Sequence, residues 1–208
     1  MSTKGVSSKR GGIYSKIQAY IEQICKHNFT VLEAGCGSGL ISLELARKRN
    51  LKRLVLLDIH EDILEKARNN FNKFKINAEF MLGDVQNLPF RNESFDLVFN
   101  EGVIEHLDDM ERGVKEMARV SKKYVICLIP NYYNILWRIE KRWKRWQGKF
   151  YYGADEYGLE KDITHKDVMK WLNNCNFEVK LLELGGLRKD KIFPTELKAW
   201  IGILGVRR

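Results

Sequence analysis

The feature that most constrains this chain is an alternation. Between residues 29 and 129, short continuously apolar runs take turns with longer stretches whose apolar residues recur every three or four positions. Segments 29–34, 53–58, 78–82, 95–99 and 124–129 are strand-sized, whereas 40–49, 61–74 and 110–121 are helix-sized and helix-periodic. A strand that is apolar on both faces needs cover on both faces, and the intervening helices supply it. The pattern predicts an α/β fold, a doubly wound, mostly parallel sheet with helices on both sides. Ile13, Ile17, Tyr20, Ile21 and Ile24 add an amphipathic helix ahead of the first strand, ending near His27.

Past Pro130 the rhythm stops for about thirty residues, then resumes with a helix at 166–174 capped by Thr164, a strand at 177–184 and a last strand at 199–206, which Gly202 and Gly205 weaken. The expectation is a flexible basic tail at 1–12 and one domain over 13–208, with an insertion at about 131–163. A chain of 208 residues that is 44 % hydrophobic suits a single core. No apolar run approaches the roughly 20 residues of a membrane span, so no integral membrane segment is expected. Residues 13–27 are too polar for the centre of a signal peptide, which makes a cytoplasmic location the default. Cys25, Cys36, Cys127 and Cys175 show no C-x-x-C spacing, so four reduced thiols are expected rather than zinc or disulfides.

The formal charge is +9. Most of it sits in two places: Lys4, Lys9 and Arg10 near the start, and Arg138, Lys141, Arg142, Lys144, Arg145 and Lys149 against Glu140 in segment 132–150. The body is close to neutral, which argues against a whole nucleic-acid-binding face.

In parallel sheets ligands sit beyond the carboxyl ends of strands, where strand order reverses. The first strand ends in Glu33-Ala34-Gly35-Cys36-Gly37-Ser38-Gly39-Leu40. Glycines let backbone approach a ligand closely, and the following helix offers unpaired N–H groups. A dinucleotide fingerprint, G-x-G-x-x-G, needs glycine at position 40, where Leu40 stands. Asp58 ends the second strand, 21 residues beyond Gly37, where an acid accepts ribose hydroxyls or caps the next helix. Asp84 follows the third strand, suited to accept from an adenine amine with Val85 against the ring.

These residues, with Leu88-Pro89-Phe90 and with Phe95-Asp96-Leu97-Val98-Phe99 leading to Val103-Ile104-Glu105-His106-Leu107, resemble a class I S-adenosylmethionine-dependent methyltransferase. The resemblance covers about 29–129. It implies a Rossmann-like seven-stranded sheet with an antiparallel last strand, and a cofactor site of Glu33, Gly35, Cys36, Gly37, Asp58, Ile59, Asp84, Val85 and Asn100. The methionine part would lie on the glycine loop, ribose on Asp58, adenine near Ile59, Asp84 and Val85, and the sulfonium close to Asn100 and Glu101. S-adenosylhomocysteine would be the product.

A sulfonium is already a strong electrophile, so holding a nucleophile in line with its methyl is the main task, worth about 7–11 kcal/mol. A side-chain base is optional. Candidates are Glu101, Glu105, His106 and His165, with Glu105 and His106 expected to open the helix after the fourth strand; packing is the competing role for His106 and a surface helix start for His165. Some relatives hold magnesium on a Glu-x-x-Glu-His run. Here Gly102 stands at the first ligand position, so no catalytic metal is expected.

Tyr132, Leu136, Ile139, Trp143, Trp146 and Phe150 form one apolar stripe if helical. That stripe suits a lid over the substrate, a helix on an anionic membrane surface or a clamp on RNA. The leading expectation is methyl transfer to a small or lipid-like acceptor through oxygen or nitrogen. The alternatives are an RNA (tRNA) methyltransferase, although an Asn/Asp-Pro-Pro-aromatic run is missing at Asn100-Glu101-Gly102-Val103, and a non-catalytic cofactor-binding scaffold for a partner.

Overall fold

In the computed structural model, residues 13–131, 146, 161–182 and 200–208 are described, with 13–17 as backbone alone. The expected tail at 1–12 and nearly all of the expected insertion, including the aromatic stripe, lie outside the described residues. Of the stripe, Trp146 alone is described: it is helical and 78 % exposed.

The described elements run α1 (Ile13–Ile24), β1 (Thr30–Ala34), α2 (Leu40–Lys48), β2 (Arg53–Asp58), α3 (Glu61–Phe74), β3 (Glu79–Leu82), β4 (Phe95–Glu101), α4 (Met110–Val120), β5 (Ser121–Pro130), α5 (His165–Asn174), β6 (Phe177–Leu182) and β7 (Trp200–Arg207). The strands form one sheet in the order β3-β2-β1-β4-β5-β7-β6. β7 runs antiparallel to both its neighbours, and the other pairings are parallel. This is the sheet that the alternation and the resemblance led us to expect.

Two apolar layers bracket the sheet. On one face Ile21 of α1 and Cys25 just after it, Leu43 and Leu45 of α2, and Leu64, Ala67 and Phe71 of α3 pack over Val31, Leu56 and Phe99. On the other, Val114 and Met117 of α4 and Val168 and Leu172 of α5 cover Leu32, Val98, Val125 and Ile203. Consecutive strand residues thus bury opposite faces, which is why these strands read as unbroken apolar runs. Strand order reverses between β1 and β4, and this is where the loops after those strands separate.

Three boundaries differ from expectation. α1 stops at Ile24, three residues short of His27, and Asn28 takes a left-handed φ of 63° before β1. Glu105 and His106 do not open α4. They lie in a separate 3-10 turn, Ile104–His106, and α4 begins at Met110, where Asp109 caps it by accepting from the Arg112 amide at 2.9 Å. β5 starts at Ser121, directly after α4, because Ser121 pairs with Phe95 although Lys122 and Lys123 carry no apolar signal.

Candidate active site

The loop after β1 turns on three glycines with positive φ, Gly35 (77°), Gly37 (52°) and Gly39 (70°). Glycine, lacking a Cβ, takes these values at no steric cost. Gly35 and Cys36 donate to the Leu57 carbonyl at 2.8 and 2.9 Å, fastening the loop to the end of β2. A Cβ on Gly37 would meet nothing within 4 Å, so this part of the loop faces open space.

Asp58, buried at 7 % exposure, accepts from the Gly37 amide at 2.9 Å and from the His60 amide at 3.2 Å. The backbone continues the chain of contacts, since Gly83 donates to the Asp58 carbonyl at 2.9 Å. Asp84 follows, and its Oδ1 accepts from the Gln86 amide at 2.8 Å. The glycine bend and the two aspartates therefore stand at three adjacent strand ends. Ile59 is 59 % exposed beside Asp58, as is Leu82 (55 %), whose register partner is Asp58. Val85 is turned inward, 5 % exposed in the core cluster.

The loop after β4 closes the other side. Val103 packs against Gly35 so tightly that a Cβ there would fall within 2.9 Å of Val103 Cγ1. Asn100, at the end of β4, is fully buried, and neither Oδ1 nor Nδ2 has a hydrogen-bond partner. Leaving such atoms unpaired costs roughly 1–3 kcal/mol each.

Glu33 is 3 % exposed, and its Oε2 also lacks a partner. Burial, with the nearby charges of Glu101 and Asp58 adding to it against the opposing effect of Ser42, pushes its carboxyl up to about 8. Burial first, then Glu33 and Asp58, likewise raises the Cys36 thiol, which stays protonated and donates to the Gly37 carbonyl at 3.4 Å. Both groups are thus neutral at pH 7, and the neighbouring negative charges that help to raise them disfavour a further anion beside them.

The expected base candidates divide. Glu101 ends β4 at the rim, Glu105 is buried (2 %) in the turn beyond it, and His106 is partly buried in the same turn. His165 is the first residue of α5, behind a capping box in which Thr164 accepts from the Asp167 amide at 3.3 Å. Among the described residues, no three His, Cys, Asp or Glu side chains converge as a metal site, and no helix is long and apolar enough to cross a membrane.

Sequence reasoning missed two residues at this rim. Lys161 donates through its amide to the Glu105 carbonyl at 2.7 Å and through Nζ to the Leu107 carbonyl at 2.9 Å. Trp200, at the start of β7, sits beside Gly102. Both come from distant parts of the chain, and nothing in the local pattern marks either.

Residues 32–129 match the family model described as a methyltransferase domain. The curated relatives include a demethylmenaquinone methyltransferase of Desulfitobacterium hafniense, 36 % identical over 47 % of this chain and 40 % of the relative. They also include the ubiquinone/menaquinone biosynthesis C-methyltransferase of Rickettsia typhi, 34 % identical over 52 % of this chain and 47 % of the relative. The chain thus spans less than half the length of these relatives. Among solved structures, the YcgJ protein of Bacillus subtilis superposes with a TM-score of 0.71 at 14 % identity, covering 94 % of this chain and 99 % of that one. Magnesium protoporphyrin IX methyltransferase of Synechocystis PCC 6803, solved with bound SAH, gives 0.68 at 17 % identity, covering 94 % and 82 %. Residues 32–129 are thus a methyltransferase domain, and the seven-stranded sheet with its antiparallel final strand has the fold of class I S-adenosylmethionine-dependent methyltransferases.

Proposed function

We propose that this protein transfers a methyl group from S-adenosylmethionine to a small, lipid-like acceptor of the quinol class. The observation that carries the cofactor half of this reading is the 2.9 Å hydrogen bond between Asp58 and Gly37, which joins two motif elements 21 residues apart at one rim. The residues present suit the cofactor. Asp58 would take the ribose hydroxyls, Ile59 and Leu82 the adenine faces with Asp84 at its edge, and the loop 35–39 the methionine part. Asn100 holds an amide whose two polar atoms are unpaired, and Glu33 and Glu101 offer carboxyl groups to positive charge.

When bound, the cofactor supplies a methyl group on a sulfonium centre. The chain's own residues then have three tasks: to hold the acceptor in line, to keep water from the rim and to remove a proton where the acceptor carries one. Glu105, buried in the turn after Gly102, is the carboxylate we assign to the last task. Ionising a quinol hydroxyl would make its ring carbon nucleophilic, so one base serves carbon or oxygen methylation. The acceptor class is supported by the activities of the Desulfitobacterium and Rickettsia relatives. The membrane-surface and RNA readings depend on segment 132–150, and no described residue favours them.

Calorimetry with S-adenosylhomocysteine tests the site. Wild type should bind, and Asp58→Ala should weaken binding by at least tenfold, while Ala in place of the exposed Asp62 should leave it unchanged. Absence of binding at millimolar ligand overturns the reading. Transfer of labelled methyl into a naphthoquinol, lowered by Glu105→Gln, tests the acceptor class.

A further inference from the structure

β7 runs antiparallel to β5, so its first residue, Trp200, lies opposite Pro130 at the carboxyl end of β5. That end of the sheet is the rim where the site lies. The far edge of the indole, Cη2 and Cζ3, approaches to 3.2 and 3.7 Å of the position a Cβ on Gly102 would take. The ring therefore reaches from β7 across the end of β5 to the loop after β4. Gly102 is held in place beneath it by donating its amide to the Leu128 carbonyl at 3.0 Å, and it takes a φ of 65°. The same Cβ position lies 3.7 Å from Glu105 Oε1.

Two facts set this indole apart from a core plug. It keeps part of its surface exposed although Ile201, the next residue, is 3 % exposed. It is also not among the side chains packed into either apolar cluster of the described residues. A large flat apolar ring, held over a glycine and beside a carboxylate, at the strand end where transfer would occur, suits one kind of ligand: a flat conjugated ring carrying a hydroxyl.

We propose, resting on the methyltransferase reading, that Trp200 is a specificity-determining residue whose indole, seated on Gly102, is the wall against which a flat conjugated acceptor stacks. Gly102 permits the wall, because any Cβ there would press on the ring. Glu105 faces the same glycine, which puts the proton-accepting group and the stacking surface at one point of the rim.

The test uses the full chain loaded with S-adenosylhomocysteine and the probe 2,3-dimethyl-1,4-naphthoquinone, whose blocked ring positions do not alkylate the four free cysteines. A quinone quenches a tryptophan that it touches, so wild type should show saturable quenching of its fluorescence. Trp200→Phe should keep probe affinity within about threefold, because phenyl still stacks, yet lose most of the quenching despite the four remaining tryptophans. Trp200→Ala should weaken the probe about tenfold. In both variants, affinity for S-adenosylhomocysteine should stay within about twofold of wild type. Unchanged quenching in Trp200→Phe overturns the proposal, as does wild type that binds S-adenosylhomocysteine but not the probe. An equal loss of both ligands in Trp200→Ala makes the role structural and overturns it too. Failure of wild type to bind S-adenosylhomocysteine instead overturns the methyltransferase reading on which the wall rests.

Discussion

The two ends of the sheet treat charge in opposite ways. At the amino edge, every acid described at a strand start has a donor. Asp96, opening β4, accepts from the amide and hydroxyl of Thr30 at 3.0 and 2.9 Å and has Lys123 3.6 Å away. Burial works against its ionisation, but those donors and the charges of Lys123 and Lys122 hold its carboxyl below the usual range. Arg53 grips Glu79 with two hydrogen bonds, at 2.9 and 2.6 Å, joining β2 to β3. Near the same edge, Arg207 donates to the carbonyls of Ala118 and Ser121 where α4 ends. At the carboxyl edge Glu33 is buried with an unpaired oxygen and a raised pKa, and Asn100 has no partner at all. One end is arranged for stability. The other carries buried polar groups left unsatisfied by the protein itself.

The sharpest break in this contrast is Glu33→Gln, which keeps the shape and removes the titration. A folded pKa of about 8, against an ordinary value of 4.5, means that the folded protein holds a proton that the unfolded chain releases between those limits. Below about pH 4.5 both states are protonated, and wild type and variant should melt alike. As pH rises toward 8, wild type should lose stability relative to Glu33→Gln, reaching a deficit of about 5 kcal/mol above pH 8. Melting curves from pH 5 to 9 check this. Parallel curves for the two proteins would place Glu33 among ordinary, solvated acids.

A contrasting pair comes next. Asp96→Ala removes the carboxylate that takes both Thr30 donors, and should cost about 2 kcal/mol, or about 6 °C in melting temperature. Its affinity for S-adenosylhomocysteine should be unchanged. Asp96 is held ionised, so its contribution is present above the ordinary aspartate pKa and fades as pH falls through its lowered one. Asp58→Ala should differ by losing ligand affinity as well as melting temperature, because the Gly37 and His60 amides lose their acceptor together with the ligand. If Asp96→Ala also lost ligand affinity, the division between the two ends would fail.

What was legible in the chain follows from how such a sheet is built. In a parallel sheet each strand end is a local event, marked by apolar residues giving way to glycine or an acid. The bend at Gly35–Gly39, Asp58 and Asp84 could therefore be placed at one rim without knowing the strand order. Trp200 could not. Its approach to Gly102, 98 residues away, exists only because β7 enters the sheet beside β5 and runs antiparallel. The 3-10 turn holding Glu105 resembles the start of α4 in sequence because its spacing fits a helix, whereas the cap that starts α4 is Asp109, three residues past His106. Ser121 looks like the end of α4 in sequence because two exposed lysines hide the start of β5.

The smallest effect tests whether the carboxyl edge is wholly without stabilising devices. Lys161 is exposed, yet Nζ reaches the Leu107 carbonyl at 2.9 Å, the Asp108 carbonyl at 3.3 Å and the Asp108 carboxylate at 3.1 Å. Asp108 is 98 % exposed at its side chain, so the ion pair itself contributes little, and most of the tie is the donation to backbone oxygen. Lys161→Ala should therefore cost less than about 1 kcal/mol, about 2 °C in melting temperature. Its amide still holds the Glu105 carbonyl. Lys161→Gln keeps a donor for the carbonyls without the charge, and should recover most of the loss. If Lys161→Gln is as unstable as Lys161→Ala and the loss vanishes in high salt, the charge of Asp108 is the partner that matters. The carboxyl edge would then hold an ion pair of the kind that stabilises the amino edge.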